Sequence, residues 1–465
     1  MKNNFKKVVG VLAAGSVLLS AGCGGQKQAD DGKIRISIGG TPTIRTEENA
    51  QTYDLFQENK ARFEKENPNV EVVADAWGFD IKNYLPKAAG GELPTMYETA
   101  PTELKTIVTS GYARDISKFF EKYGYKDAFS EKYEQLYKYD GKYYGLIQPD
   151  SLYNMGIAYN ISLFEKAGLL DENGIPKYPK TWDEFAETAK TIKDKTGKAG
   201  FAMATNNNKG GWHFLSLAYA FGTEFMKEED GKWKATFASP EGIAALQYLK
   251  DLRWKYDVLQ NELLADTNAT GRMLATGEAA MIVTYGNTDS YVDKYQLDVN
   301  NLAMSSLPSG PAGKVSQASG NMYVFSNAAT DEQVDACFKW LEMIGKGVSV
   351  NDGVKEQWEK TYSIKKEKKR AVGIRTSALW KDEKRVAAET EIMNKYRTVD
   401  SKFFDDYVNG DGVEYVFEPE RCVQQLYAVL DAAIQEVLLN KDADCGTVLK
   451  KAQEDFQINY LDKEI

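Results

Sequence analysis

The chain has a single histidine, four cysteines and 12 prolines among 465 residues. His213 alone leaves little from which to build a zinc centre or a Ser-His-Asp triad. Cys23 lies near the N-terminus, and only Cys337, Cys422 and Cys445 occupy the body. Three thiols cannot all pair, so no disulfide framework is implied; a Cys422–Cys445 pair stays open, and otherwise these are small apolar residues. Beyond the first 22 residues no apolar run is long enough to span a bilayer. Repeats and low-complexity tracts are also missing, which argues against a stalk or adhesin. Positive charge is in deficit, with 58 Lys and Arg against 68 Asp and Glu for a formal net charge of -10. Such a chain is a poor partner for phosphate backbones.

What is present begins with an export signal. Lys2, Lys6 and Lys7 precede an apolar run over 8–19, followed by Ser20-Ala21-Gly22-Cys23. A basic start, a short apolar core and small residues before the cut describe a secretory leader over 1–22. The small residues directly before Cys23 look like a lipobox, with Ser20 where Leu is more usual, so lipidation of Cys23 is expected. Acyl chains contribute about 0.8 kcal/mol per buried methylene, and two or more hold a soluble domain at the membrane surface. Residues 23–33 then read as anchor and flexible tether.

The length suits two lobes of about 150–200 residues each. Ile34, Ile36 and Ile38 alternate with polar residues as a strand; Tyr53, Phe56 and Phe63 mark a helix ending at Asn67-Pro68, and a second strand starts at Val70. A helix over 81–89, a strand over 95–98 and a helix over 102–110 repeat the pattern. Strands near 142–147 and 155–159, divided by Pro149-Asp150-Ser151, predict a crossover between lobes. Thr181 with Glu184 reads as a capping box, and Trp182 as a packing residue. A short strand over 201–204 runs into the polar loop 206–213, and a strand over 281–285 into Gly286-Asn287-Thr288-Asp289. Ligands of open parallel sheets bind at the carboxyl ends of strands, which directs attention to Gly40, to 77–80 and to Tyr97-Glu98.

Several words in this chain, in order and spacing, resemble family 1 extracellular solute-binding proteins, the sugar-capturing lipoproteins of ABC importers related to maltose-binding protein. They are Asn67-Pro68-Asn69-Val70, the YGL of 144–146, the YNISLFEKAGL of 159–169, the PKTWDEF of 179–185, the SPEG of 239–242, the GEAAM of 277–281 and the LPSGP of 307–311. Pro94-Thr95 departs from the family's usual Pro-Asp. The resemblance implies an α/β, two-lobed periplasmic-binding-protein-like fold of type II, each lobe a mostly parallel sheet flanked by helices. Lobe 1 is expected to comprise 34–150 and 300–345, and lobe 2 151–299 and 346–465, with crossings near 148–153, 300–303 and 345–348. It implies a monomer anchored at the extracytoplasmic face of the bacterial membrane, which captures a carbohydrate, an oligosaccharide, and delivers it to ABC permease subunits and their ATPase. No cofactor, metal or nucleic acid is expected, and no enzymatic activity. The alternatives are the same fold binding a polyamine, glycerol phosphate or iron, and a secreted glycoside hydrolase.

Sugar rings present C–H faces that match flat aromatic side chains and a hydroxyl rim that matches amides and carboxylates. Trp77, Trp212 and Tyr285 are the stacking candidates, with Tyr97 and Tyr323 behind them. The polar candidates are Asp80, Glu98, Asn154, Asn207, Asn287, Asp289 and Asn321. A hydrolase would need two carboxylates about 5–10 Å apart across one bond, for which Asp80 and Glu98 are the pair on paper. Arg45 and Lys209 are the obvious cations near the cleft, and with so few a neutral saccharide is expected.

Overall fold

Ile36 and Ile38 bury their side chains from the strand Ile34–Ile38, which pairs in parallel with Val70–Ala74 across the helix Ala50–Glu66. Met96–Thr99 joins the other edge in parallel, and Met322–Phe325 then pairs antiparallel with both Met96–Thr99 and Gly145–Ile147. This first sheet runs in the order 70–74, 34–38, 96–99, 322–325, 145–147. The computed structural model describes residues 32–286, 288–374 and 379–463, so Cys23 and Asn287 lie outside the described residues.

The second sheet has the order Leu302–Ser306, Gly156–Asn160, Ala279–Thr284, Ala199–Ala202. Alternate residues of its strands face opposite sides. Ile157, Tyr159, Met281 and Val283 enter the large core shared with the C-terminal helices, while Ala158 and Ile282 enter a smaller core with Leu302, Phe404 and Tyr407. Burial on both faces explains the continuous apolar run of Ala279–Thr284. The first sheet has its own core, built on Ile36, Val72, Phe120 and Phe338.

Two expected assignments are corrected. Leu302–Ser306 pairs with Gly156–Asn160, so the chain does not return to the first lobe at 300. The return comes at 317–322: Lys314–Ser319 pairs with Val413–Val416 and with Tyr153–Asn154, and Met322 then enters the first sheet. Nor does all of 346–465 belong to the second lobe. Leu379 and Trp380 belong to the first core, with Trp380 4.7 Å from Phe129, and Lys360 of the helix Asp352–Glu367 pairs with Glu58. That helix also reaches the second lobe, through Lys365 to Asp289 at 3.2 Å, so it straddles both. Helical periodicity states which face is buried, not against which partner.

The helix Lys209–Phe221 packs on Val423–Leu439 at close range. A Cβ on Gly211 would lie 2.4 Å from the Tyr427 carbonyl oxygen and 2.6 Å from its Cα. Buried Asp431 of the second helix accepts the N–H groups of Asn208 at 2.7 Å and Gly211 at 2.6 Å, supplying the carboxylate that a helix N-terminus favours. Thr181 caps Trp182–Thr196 by accepting Glu184 N–H at 3.1 Å, but the Glu184 carboxylate takes the N–H of Lys180 instead of Thr181. Trp182 is buried between Phe185 and Tyr248.

Gly211→Ala forces these two helices apart and is expected to destabilise the fold by about 1–3 kcal/mol, read as a lower urea midpoint; an unchanged midpoint would contradict the close approach. Cys337 and Cys445 form no disulfide, so a Cys422–Cys445 pair is absent. Alkylation of the urea-unfolded chain without reductant should therefore label Cys337 and Cys445, and a Cys445 protected by a bond to Cys422 would overturn this.

Candidate functional site

The two crossing segments lie side by side. Gln148 N–H donates to the Asn321 carbonyl at 2.8 Å, Asn321 N–H to Ser151 Oγ at 2.8 Å, and Met155 N–H to the Gln317 carbonyl at 3.0 Å. On one side of this ribbon the lobes enclose a cavity of about 550 Å³, which shares Ala100 and Asn321 with a second of about 510 Å³. The two are halves of one cleft.

Three rings stand together in the larger half. Tyr153 comes from the crossing, Trp212 from the start of Lys209–Phe221, and Tyr285 from the end of Ala279–Thr284. Ring centroids are 4.9 Å apart for Tyr153–Tyr285, 5.6 Å for Trp212–Tyr285 and 6.0 Å for Tyr153–Trp212. Lys209 Nζ lies 4.8 Å from the Trp212 ring centroid, within cation–π range. Behind them Glu418 accepts the Ser319 hydroxyl at 2.8 Å and the Tyr427 hydroxyl. Burial raises the Glu418 pKa, with Tyr427, Ser319, Lys209 and Trp212 acting in the opposite direction. Asp289 opens the helix Asp289–Tyr295 and is held by Lys365 at 3.2 Å and Arg370 at 3.9 Å.

The smaller half takes its wall from the first lobe: Phe79, Asp80, Glu98, Thr99 and Glu103. Asp80 caps Ile81–Ala89 by accepting Lys82 N–H at 3.0 Å. Solvent reaches Glu98, yet the surrounding walls desolvate it and raise its pKa against a hydrogen bond from Gln148 and the charge of Lys346.

The structure thus brings Asp80, Glu98, Trp212, Tyr285, Asp289 and Asn321 to one cleft. The other described candidates stand elsewhere. Tyr97 is 1% exposed and packs on Tyr84 and Phe79, because alternation along Met96–Thr99 sends Glu98 to the cleft and Tyr97 to the core. Tyr323 is buried in the same core. Trp77 packs edge-on to Tyr97 and donates its indole N–H to Asn83 at 3.1 Å, outside the lining of the cleft; Phe79, two residues on, lines it. Asn154 is buried in its strand, its carbonyl accepting the Tyr407 hydroxyl at 2.7 Å. Asn207 is exposed with φ 56°, and its neighbours Asn208 and Lys209 line the cleft instead. Arg45 is exposed and paired with Asp54 at 2.8 Å. Sequence reasoning missed Tyr153, Glu103, Lys365 and Glu418. Tyr153 carried a signal, since it follows the Pro149-Asp150-Ser151 break; Glu418 and Lys365 carried none, because they arrive from distant chain.

His213 lies off the cleft, lining a separate apolar void of about 30 Å³ in the second core. Burial pushes its pKa down to about 3, so it is neutral across the physiological range.

The sequence profile described as bacterial extracellular solute-binding protein matches residues 47–342. The diacetylchitobiose binding protein of Streptomyces coelicolor is 26% identical over 294 residues, covering 62% of this chain and 64% of that protein, a little under two thirds of its length. Among solved structures, a solute-binding protein from Thermotoga lettingae bound with α-D-tagatose superposes with a TM-score of 0.65 at 19% identity, over 91% of this chain and 98% of that one. A Mycobacterium tuberculosis protein in complex with glycerophosphocholine gives 0.65 at 17% identity, over 93% and 100%. At these identities the structural likeness speaks for the two-lobed fold. With the profile spanning more than half of its residues, the chain belongs to the bacterial extracellular solute-binding proteins.

Proposed function

We propose that the protein captures a carbohydrate, an oligosaccharide, between its lobes and delivers it to the permease of an ABC importer. The observation that carries this is the cleft itself, with three converging rings, one on the crossing and two on the second lobe, and a row of carboxylates on the first. Rings suit the C–H faces of a pyranose and carboxylates its hydroxyls. Two confluent cavities of about 550 and 510 Å³ leave room for more than one sugar unit. The relative that binds diacetylchitobiose supports the same ligand class.

Capture works by differential affinity. A ligand touching both walls contacts both only when the lobes close, so binding shifts the population toward the closed form. The crossing segments 148–155 and 317–321 are the axis of that closure. The family consists of binding proteins, and no step of this cycle makes or breaks a covalent bond. Lipidation of Cys23 after removal of residues 1–22 would tether the protein outside the membrane. Among the described residues no helix is long and apolar enough to cross a bilayer.

Trp212→Ala and Tyr285→Ala are each expected to weaken saccharide binding at least tenfold, about 1.4 kcal/mol, by isothermal titration calorimetry. Trp77→Ala should leave affinity within about twofold, since its ring lies outside the cleft; equal losses in all three variants would misplace the site. Chromatography of saccharide incubated with the protein should show no products, and cleavage products would replace the binding reading with a hydrolase.

A further inference from the structure

Three carboxylates line the larger half of the cleft, and they are held in different ways. Asp150 pairs with Lys346, and Asp289 with Lys365 at 3.2 Å and Arg370 at 3.9 Å, so both of these charges are matched. Glu418 is held by neutral donors instead. Ser319, which stands opposite Tyr153 in the crossing ribbon, donates its hydroxyl to Oε2 at 2.8 Å, and Tyr427 donates to Oε1. Lys209, whose Nζ lies 4.8 Å from the Trp212 ring centroid, acts on this carboxylate through its field and not as an ion-pair partner. Glu418 is partly exposed and lines the same cavity as Tyr153, Trp212 and Tyr285. An ionised carboxylate has acceptor sites for about four hydrogen bonds. Two are filled from the protein, one on each oxygen.

We propose that Glu418 is a specificity-determining residue of this cleft, accepting hydroxyl groups from the rim of the sugar unit that stacks on Tyr153 and Trp212. The proposal rests on the carbohydrate-capture reading above and adds to it the group that reads the ligand's rim. Hydrogen bonds to a charged acceptor are roughly twice as strong as neutral ones, so the unpaired carboxylate is the stronger acceptor here. At Asp150 and Asp289 a ligand hydroxyl would compete with an ion pair already made. Glu418 is also fixed before the ligand arrives. Ser319 ties it to the crossing that carries Tyr153, and Tyr427 ties it to the helix on which Lys209–Phe221 packs through Gly211. A group held in place loses little freedom when it binds. A carboxylate only accepts, so the unit stacked beside it must present free hydroxyls, and an etherified or esterified rim leaves the charge without its donor.

This role ties affinity to pH. Burial raises the Glu418 pKa, against the hydrogen bonds of Tyr427 and Ser319 and the charge of Lys209. The other titratable groups whose fields reach it are Glu103 and the phenols of Tyr153, Tyr219 and Tyr427. Burial holds all three phenols above their ordinary range, so they stay neutral, whereas the raised Glu103 titrates in the same direction as Glu418. Protonation makes Glu418 a neutral and weaker acceptor. Affinity therefore falls as pH falls, starting above the range of an ordinary glutamate, and the share owed to Glu418 is the share that an isosteric amide removes.

The test is calorimetry on the full-length protein with maltotriose, cellotriose, xylotriose and diacetylchitobiose, the tightest binder of the four serving as the probe. Glu418→Gln is expected to weaken its binding at least tenfold near about pH 8, and the gap to the wild type should shrink to within about threefold near about pH 4, where the carboxyl is protonated. Tryptophan emission of the unliganded variant should match the wild type, because the rings keep their places. A loss that stays constant with pH, or one accompanied by altered emission before ligand is added, makes Glu418 a support of the ring platform and overturns the contact. Unchanged affinity in the variant overturns it as well. If Glu418→Gln does not fold, Glu418→Asp decides: it keeps the charge but draws it back by one methylene, and should bind at least threefold more weakly while keeping the fall at low pH. Wild-type affinity in that variant overturns the proposal. All of these outcomes leave saccharide capture standing, whereas failure of all four saccharides to bind overturns both readings.

Discussion

Everything the cleft can do depends on two crossing segments that are hydrogen-bonded to each other. Residues 148–155 leave the first sheet for the second, and residues 317–321 make the return trip beside them. Because Gln148, Ser151 and Met155 spend their backbone and hydroxyl groups on Asn321 and Gln317, the two strands move as one ribbon. Each lobe has its own core, so each keeps its internal geometry while the ribbon flexes. The strap formed by Asp352–Glu367 and its continuation adds a second connection on charge pairs: Lys360 to Glu58 on one side, Lys365 and Arg370 to Asp289 and Asp293 on the other. Partly exposed pairs of this kind are individually weak, and Ala371 and Ile374 add apolar packing on the smaller core of the second lobe.

The two walls differ in chemistry for reasons that lie deep in each lobe. On the second lobe, Asp431 caps the helix carrying Lys209 and Trp212, and Gly211 lets that helix settle against Tyr427. That fixes Trp212 beside Tyr285 and Tyr153, with Glu418 behind. On the first lobe, strand ends deliver Glu98 and Thr99, and the loop after Val70–Ala74 delivers Phe79 and Asp80. An apolar platform facing a carboxylate row is therefore assembled from elements that share no local sequence.

Much of the local structure was legible in the chain. The helix Ile81–Ala89 and the cap at Thr181 both follow from periodicity and capping residues. Cleft-lining residues were legible where a strand end and a turn coincided, as at Glu98, Trp212 and Asp289. They were misread where alternation decided the facing: Tyr97 and Glu98 are neighbours, yet one enters the core and the other the cleft.

By itself the sequence determined the elements, the family words that name a two-lobed binding fold, and the kinds of side chain a saccharide needs. Local sterics, capping and period-two or period-3.6 burial are properties of neighbouring residues, and neighbouring residues are what a sequence displays. Tertiary structure alone decided that Leu302–Ser306 completes the second sheet, that the helix Asp352–Glu367 straddles the lobes, and that Glu103 and Glu418 come to line the two halves of one cleft. Those outcomes turn on which of several equally apolar partners gives the larger buried area and the fewer unpaired polar groups, a competition among distant segments that settles only when the whole chain has packed.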